Sequence, residues 1–508
     1  MLAAHRNHRL RPFLTVLLFE FWERCGYYGT AVLMVLFMIQ QLGIRDTDAS
    51  LIWGTFSALL FAAPAVGGWV GDRILGAKRS MRLGACVLAL GYLLLTISGN
   101  SLPKMHLALG LIIVGSGLFK PNIANMVRRV YEDSPSTFDR VFTLYYMTNN
   151  IAASVFVLLT PWIKDRWGWH AAFAVCFVCM VIGLICYAYL ARTLADMGST
   201  ADTQRLRGRS LAGVLGGCGL AVLVAAFVMQ HDVMALACVY LGSAAVLGVF
   251  GYMIANGKRS ERAGLIAAVF LVGEAMLFFV FYNQVGTSLT LFALRHVDWN
   301  QTLFGRHLFT WSPAQYAGIN SLWVMVLSPP LAWVYRQLEK RGRDLHVAAK
   351  FAWGFVAVAA GFFVFGFSGH AAHDGKVSSW FMVAGYGFYS LGELLVAALG
   401  LAMMSRFVPA RMGGFMMGAF FVAAGIAQYL GSVIANRANL VGGLVDANAG
   451  LAAYTRLFDD LGWLAVAGAI VAIALLPFLR RLSDVHERDR IDREKHEAEA
   501  EAPRLRAH

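Results

Sequence analysis

Glu20-Phe-Trp-Glu23-Arg24-Cys-Gly-Tyr27-Tyr28-Gly29 places three charges inside an apolar run that covers 13–41. A run of that length crosses a hydrocarbon core of roughly 30 Å as a helix. Positions 20, 23, 24, 27 and 28 stand at i, i+3, i+4, i+7 and i+8, which is one helix face. A charge at the bilayer centre costs about 2.5–3.5 kcal/mol on insertion scales. Two carboxylates, a guanidinium and two phenols on one face must therefore meet a polar cavity or one another. The same charges rule out a cleavable signal peptide, whose apolar core they would interrupt.

The rest of the chain reads the same way. Of 508 residues, 58% are hydrophobic and 14% are Asp, Glu, Lys or Arg, against about 25% in a soluble domain. Mean hydropathy is +0.60. There is too little polar residue for the skin of a soluble multidomain enzyme, and a disordered chain or nucleic-acid binder is excluded too, despite the net charge of +13. Fourteen apolar runs are long enough to span: 13–41, 50–72, 81–99, 104–127, 140–163, 168–191, 210–230, 233–255, 263–294, 314–337, 347–368, 378–405, 412–436 and 457–479. Most of the 43 Lys and Arg residues fall in alternate loops and in the two tails. That asymmetry predicts both termini in the cytoplasm, with the cations at the inner lipid face. The charged, helix-prone tail after Leu482 is expected to fray.

Short basic turns, Gly68–Arg79 and Ala332–Arg341, occur once in each half. The runs at 210–230 and 233–255 carry no internal charge and read as an insertion; without them six runs remain on each side. The predicted architecture is an all-α membrane protein of two six-helix bundles plus two inserted helices. Its parts are a first bundle over 1–192, a linker with the inserted helices over 193–258, a second bundle over 259–482 and a cytoplasmic tail over 483–508.

Three further charges stand out within spans, away from their ends: Lys120, Glu274 and Glu393. The alternative to a functional site is a set of ion pairs that lock helices together. Acids outnumber cations here and occupy both halves, which suits a site for a cation or proton. Neutral polar residues add to it: Asn149, Asn150, Asn283, Gln284, Asn320 and Gln428. Each of these, taken alone, is more often a helix–helix hydrogen bond than a ligand contact. Histidines such as His106, His231, His296, His307, His370 and His373 fall in tails and loops rather than deep in a span, so carboxylates are expected to carry protons. The Cys176–Cys179 pair lies on an apolar helix with no second ligand pair, and reads as packing. Gly71-Asp-Arg-Ile-Leu-Gly76-Ala-Lys78 has nucleotide-loop glycines without the Gly-Lys-Ser/Thr end. No cofactor or metal is expected, and transport would be driven by a gradient.

These residues resemble the proton-dependent oligopeptide transporters of the major facilitator superfamily. The α-helical stretch 20–29 is similar to the family's ExxERFxYYG signature, with Cys25 for Phe. Gly67–Gly76 resembles its loop motif, and Phe142-Thr-Leu-Tyr145-Tyr146-Met-Thr-Asn149-Asn150-Ile its fifth-helix motif. Gly392-Glu393-Leu-Leu, Pro409-Ala-Arg411 and Met416-Met-Gly418 match second-half patterns. The resemblance covers the first six and last six runs, and two extra central helices are a habit of bacterial members.

The resemblance implies import of di- and tripeptides with protons across a bacterial inner membrane, by a chain functional as a monomer. It implies a proton-linked gate at Glu20, Glu23 and Arg24. Lys120 would meet the peptide carboxylate and pair with the first glutamate. Asn150, Asn320 and Glu393 would hold the peptide backbone and amino terminus. Tyr27, Tyr28 and Trp311 are candidates for side-chain pockets, and Asn283 and Gln284 for the substrate site. Glu274 is a candidate helper in coupling. Four positions depart from the family: Ala31 for a second arginine, Phe61 for a pocket tyrosine, Asn283 for an acid, and Ala397-Ala398 for Ser-Pro. A related small anion such as nitrate, a peptidomimetic, or efflux on the same fold are the rival transport readings. A membrane enzyme would need a nucleophile–base or metal constellation, and the missing intramembrane histidine argues against it.

Overall fold

The structure is a computed structural model, and it describes residues 2–505 apart from 132–134, 196, 199, 204–207, 305, 342–346, 409–411 and 443–446. Pro409-Ala-Arg411 thus lies outside the described residues, as do the side chains of Phe142, Tyr146 and Ala397-Ala398. Every apolar run is a helix. The first four are α1 (Leu2–Gln40), α2 (Asp46–Val70), α3 (Ala77–Thr96) and α4 (Leu102–Val130). Pro135–Leu190 is one continuous helical stretch broken at Gly168, where φ is 81°. Glycine takes that left-handed conformation without steric cost, and it separates α5 (135–167) from α6 (169–190). The inserted pair is α7 (Gly208–Gln230) and α8 (Asp232–Asn256). Then come α9 (Arg259–Gly286), which runs on through a second helix at Ser288–His296, α10 (Tyr316–Lys340) and α11 (Val347–Phe367). The chain ends with α12 (Ser379–Phe407), α13 (Gly413–Gly442) and α14 (Ala447–Leu505). The tail expected to fray continues α14 as helix to Leu505. Its Glu, Lys and Arg residues are strong helix formers and carry the helix past the membrane.

Within the described residues, eleven helical stretches are long and apolar enough to cross a membrane, and the longest, Met147–Leu194, holds both α5 and α6. With α1 and α12 added, the fourteen expected spans are all present. Helices α1 to α6 pack on one another, and α9 to α14 likewise. The two sets meet along α2 with α13 and α5 with α10. The inserted helices are divided between them: α7 lies on α4 and α2, and α8 on α13 and α9.

Glycine permits the tightest crossing. A Cβ on Gly67 of α2 would stand 1.9 Å from the Gly117 carbonyl oxygen of α4, so any side chain there forces the helices apart. The Asn122 amide spans the same crossing, donating to the Gly67 carbonyl at 3.1 Å. The loop after α2 is held by the linker. The Asp202 carboxylate accepts the Lys78 backbone N–H at 3.2 Å, and Lys78 Nζ donates to the Leu194 and Ala195 carbonyls at 3.1 Å.

Opposite that basic end, four short strands form a cap. β1 (Val297–Asp298) pairs in parallel with β4 (Val377–Ser378), and β2 (Asn300–Leu303) pairs antiparallel with β3 (Arg306–Thr310). Two histidines read as loop residues are buried helix residues: His106 near the start of α4 and His296 at the end of Ser288–His296. Both stand at helix ends, where an imidazole reaches the core without lying deep in the span.

Candidate functional site

The polar face of α1 turns inward. Glu20, Glu23 and Arg24 are buried. Arg24 Nε donates to Glu23 Oε2 at 2.5 Å and lies 3.2 Å from Glu20 Oε1, and Arg24 Nη2 also pairs with Glu23. One guanidinium thus serves two carboxylates. The Tyr145 phenol of α5 lies beside Glu20. One turn along α1, the Tyr27 ring has Arg24 Cζ 5.2 Å and Lys120 Nζ 4.4 Å from its centre. Such cation–π contacts are worth about 0.5–2 kcal/mol each. They hold the α4 ammonium against α1 without a carboxylate. The expected Lys120–Glu20 pair is not formed: among the described residues Lys120 makes no ion pair, and Arg24 occupies Glu20. Arg24 is the local partner, on the same helix, and it needs no movement of α4 to reach either acid.

The second bundle supplies a carboxylate. Asn320 of α10 donates from Nδ2 to Glu393 Oε2 of α12 at 2.8 Å and lies 3.1 Å from Ser390 Oγ. The Ser390 hydroxyl donates back to the Asn320 carbonyl at 3.2 Å. Tyr28 of α1 is close enough to Glu393 to interact electrostatically across the two bundles. Tyr27, Tyr28, Lys120, Asn149, Asn150, Asn320 and Glu393 all retain partial exposure in mid-span, so they border the space between the bundles. Ser390 was not singled out from the sequence, and Tyr145 stood only within the fifth-helix motif, with no role assigned to it. Ser390 stands three residues before Glu393, on the same helix face, and that spacing was the available signal.

Other candidates are placed elsewhere. Asn283 and Gln284 are buried in the seam between α9 and α13. Asn283 Nδ2 donates to Gln428 Oε1 at 3.0 Å, and its Oδ1 accepts from Ser432 at 3.0 Å and Thr287 at 3.2 Å. Gln284 donates to the Gly431 carbonyl at 2.9 Å and accepts from Ser288 at 2.6 Å. These groups are committed to helix packing, and the structure does not bring them to the space between the bundles. Asn283→Leu removes the partner of the buried Gln428 amide oxygen and of the Ser432 hydroxyl, while the Thr287 hydroxyl keeps the Asn283 backbone carbonyl at 2.9 Å. It is expected to cost about 1–3 kcal/mol of stability while dipeptide affinity per folded molecule stays unchanged, as thermal melts and binding on one preparation will read out.

Trp311 is at the strand end, where Nε1 donates to Gln301 Oε1 at 2.9 Å and its ring lies 5.4 Å from Tyr316. It is therefore not a pocket residue of the central site. Glu274 is buried in α9, and neither carboxylate oxygen has a hydrogen-bond partner among the described residues. It stands nine residues, roughly 13 Å along the helix, from Asn283, and joins none of the clusters above. Phe61 meets Phe279 of α9 edge-on at 5.4 Å, an apolar contact between bundles. Ala31 lines a small void beside Tyr27, Trp53 and Tyr92.

The strand end is closed. Arg295 grips Asp46 with both arms, Nε to Oδ2 at 2.7 Å and Nη2 to Oδ1 at 2.6 Å. The Asn436 amide donates to the Thr47 carbonyl at 3.0 Å, and the Gln315 amide to the Leu158 carbonyl at 2.9 Å. All four bonds join the two bundles. The Arg295 side chain is 35% exposed, so solvent screening limits the pair to about 1 kcal/mol. Arg295→Ala is expected to shift the population several-fold toward molecules open at this end. Spin labels at positions 45 and 373 should then show a longer-distance component.

Comparison with known proteins bears on these residues. The family model described as POT family (PTR2) matches residues 78–446. Dipeptide and tripeptide permease A of Chromobacterium violaceum is 35% identical over 474 residues, covering 93% of this chain and 94% of that protein. The Escherichia coli protein of the same name is 33% identical over 484 residues, covering 95% of each. Among solved structures, a bacterial homologue of the human drug peptide transporters PepT1 and PepT2 is 50% identical, covers 93% of this chain and 99% of that one, and has a TM-score of 0.84. Tetrameric PepTSo2 is 49% identical with the same coverage and a TM-score of 0.85. With the two-bundle helical fold and the charged faces of α1, α4 and α12, these matches show that the chain belongs to the POT family of the major facilitator superfamily.

Proposed function

We propose that this protein imports di- and tripeptides together with protons across a bacterial inner membrane, by alternating access between its two bundles. The observation that carries the reading is the division of charge. Lys120, beside Tyr27, offers a cation from the first bundle, and Glu393, oriented by Asn320, offers an anion from the second. A zwitterionic peptide that engages both ends favours closure of the bundles around it. Glu20, Glu23 and Arg24 form the proton-linked gate, with Asn150 lining the peptide path. Few other charges reach the space, so the side chains of the peptide are read loosely. The relatives above bear permease names, which supports transport rather than catalysis. Both halves of the site come from one chain, and we take one chain as the functional unit.

Dialanine uptake into proteoliposomes with an inward proton gradient tests the function. Accumulation that a protonophore abolishes supports it; accumulation unaffected by the protonophore, or none at all, overturns it. The orientation is tested separately. We place the basic end in the cytoplasm, so in a cysteine-free background Asn300→Cys is expected to react with an impermeant maleimide in intact cells. Lys340→Cys should react only after permeabilisation, and the reverse pattern would invert the topology.

A further inference from the structure

The hairpin β2–β3 stands out from the body of the protein. Every residue of β3 is exposed, and in β2 Gln301 alone is buried. Leu303 pairs with Arg306, and Phe304 at the turn between them has a φ of 50°. Short hairpin turns call for that left-handed conformation, but Asn or Gly usually supplies it, and a bulky side chain makes it strained. The Phe304 ring is 96% exposed, so packing within the chain does not offset the strain. An aromatic ring held out on a strained turn points to an occupant outside the chain.

The two faces of the ribbon differ. Successive residues of β2 alternate between faces, and cross-strand partners share one. Asn300 pairs with Thr310 and Thr302 with His307, so one face is polar. On it Thr310 Oγ1 donates to Asn300 Oδ1 at 3.0 Å, and the His307 ring Nε2 lies 3.1 Å from Thr310 Oγ1. Gln301 with Phe309 and Leu303 with Arg306 make the other face. That face is turned toward the helix ends, because Gln301 Oε1 accepts from Ser379 Oγ at 2.8 Å, at the first residue of α12. Leu303 and Phe309 are exposed on this side. The polar face therefore looks to water and the apolar face looks toward the membrane.

The support of the hairpin is α12, where Trp380 Nε1 donates to the Thr302 carbonyl at 2.7 Å. Trp380, Ala384 and Phe388 are exposed along one face of this helix. Ala384 and Glu393 stand on opposite faces of it at 3.6 residues per turn. Glu393 borders the space between the bundles, so the exposed stripe meets lipid, and the hairpin is mounted directly above that stripe. We propose that the hairpin tip is a membrane-interface anchor, in which Leu303, Phe304 and Phe309 enter the headgroup layer of the leaflet at the strand end and Arg306 meets lipid phosphate. Aromatic rings favour that depth, apolar faces bury there, and a guanidinium matches phosphate oxygens. The cap over the strand end is thereby fastened to the bilayer on the side of the second bundle.

Nitroxide accessibility in proteoliposomes of phosphatidylethanolamine and phosphatidylglycerol tests this without reference to transport, so its result is separable from the peptide reading. In a cysteine-free full-length background, a label at Phe304→Cys should collide several-fold more with oxygen, which partitions into lipid, than with a water-soluble nickel chelate. A label at His307→Cys, on the polar face, should show the reverse ratio. A label at Leu303→Cys reads the anchor with the Phe304 ring in place. It should be reached from lipid, and adding Phe304→Asp should return it to water while the melting temperature holds. Equal ratios at 304 and 307, or a label at 303 unmoved by Phe304→Asp, would overturn the proposal. So would dipolar coupling between labels at 304 on two molecules, which would show a second copy of the chain as the occupant.

Discussion

In proteoliposomes under an inward proton gradient, Glu20→Gln and Glu23→Gln are each expected to reduce concentrative dialanine uptake to the uncoupled background while retaining dialanine exchange. The reason is charge arithmetic in the first bundle. Glu20, Glu23, Arg24 and Lys120 together are neutral when both acids are ionised and both bases charged. One proton taken up by either acid makes the cluster cationic, and a peptide carboxylate then restores neutrality. Proton and peptide thus favour each other's binding, and the coupling is reciprocal. A glutamine at 20 or 23 fixes the cationic state. Peptide binding survives, so exchange continues, but no proton is released to drive the cycle. The variants' affinity for dialanine should also lose its dependence on pH, and above neutral pH it should exceed that of the unmodified protein. Calorimetry across pH reads this directly. If both variants still concentrate dialanine against a gradient, the proton site lies elsewhere.

The spans and the inward face of α1 were legible because the bilayer imposes one rule: three charges in an apolar run must be sheltered, and helical spacing puts them on one face. Partner choice was not legible. Nothing in the spacing says whether Glu20 is met by Arg24 or by Lys120, because the second depends on how α4 is set against α1. The destiny of Asn283 and Gln284 was hidden for a related reason. An amide in mid-span reads the same whether it faces a cavity or another helix. Here Gln428, Gly431 and Ser432 of α13 decide it, 145 residues or more away in the chain. The closure at the strand end depends on Asp46 meeting Arg295 across the two bundles, which no local pattern reveals.

Glu393→Gln is expected to weaken dialanine binding about ten- to a hundredfold and N-acetyl-dialanine very little. A hydrogen bond to a charged group contributes about 1.5–3 kcal/mol, more than a neutral one, and tenfold corresponds to about 1.4 kcal/mol. The substitution keeps the scaffold, because a glutamine carbonyl can accept the Asn320 amide as the carboxylate does at 2.8 Å. Only the charge is lost, and only a ligand with a free ammonium group should register it. Lys120→Ala provides the complementary arm. It should impair free-acid dipeptides and spare their carboxy-amidated forms, since the cation beside Tyr27 then has no carboxylate to meet. The two selectivities together locate both ends of the peptide. If Glu393→Gln weakens free and acetylated peptides equally, then Glu393 serves to lock α10 to α12 through Asn320, and the ammonium group is recognised by another acid.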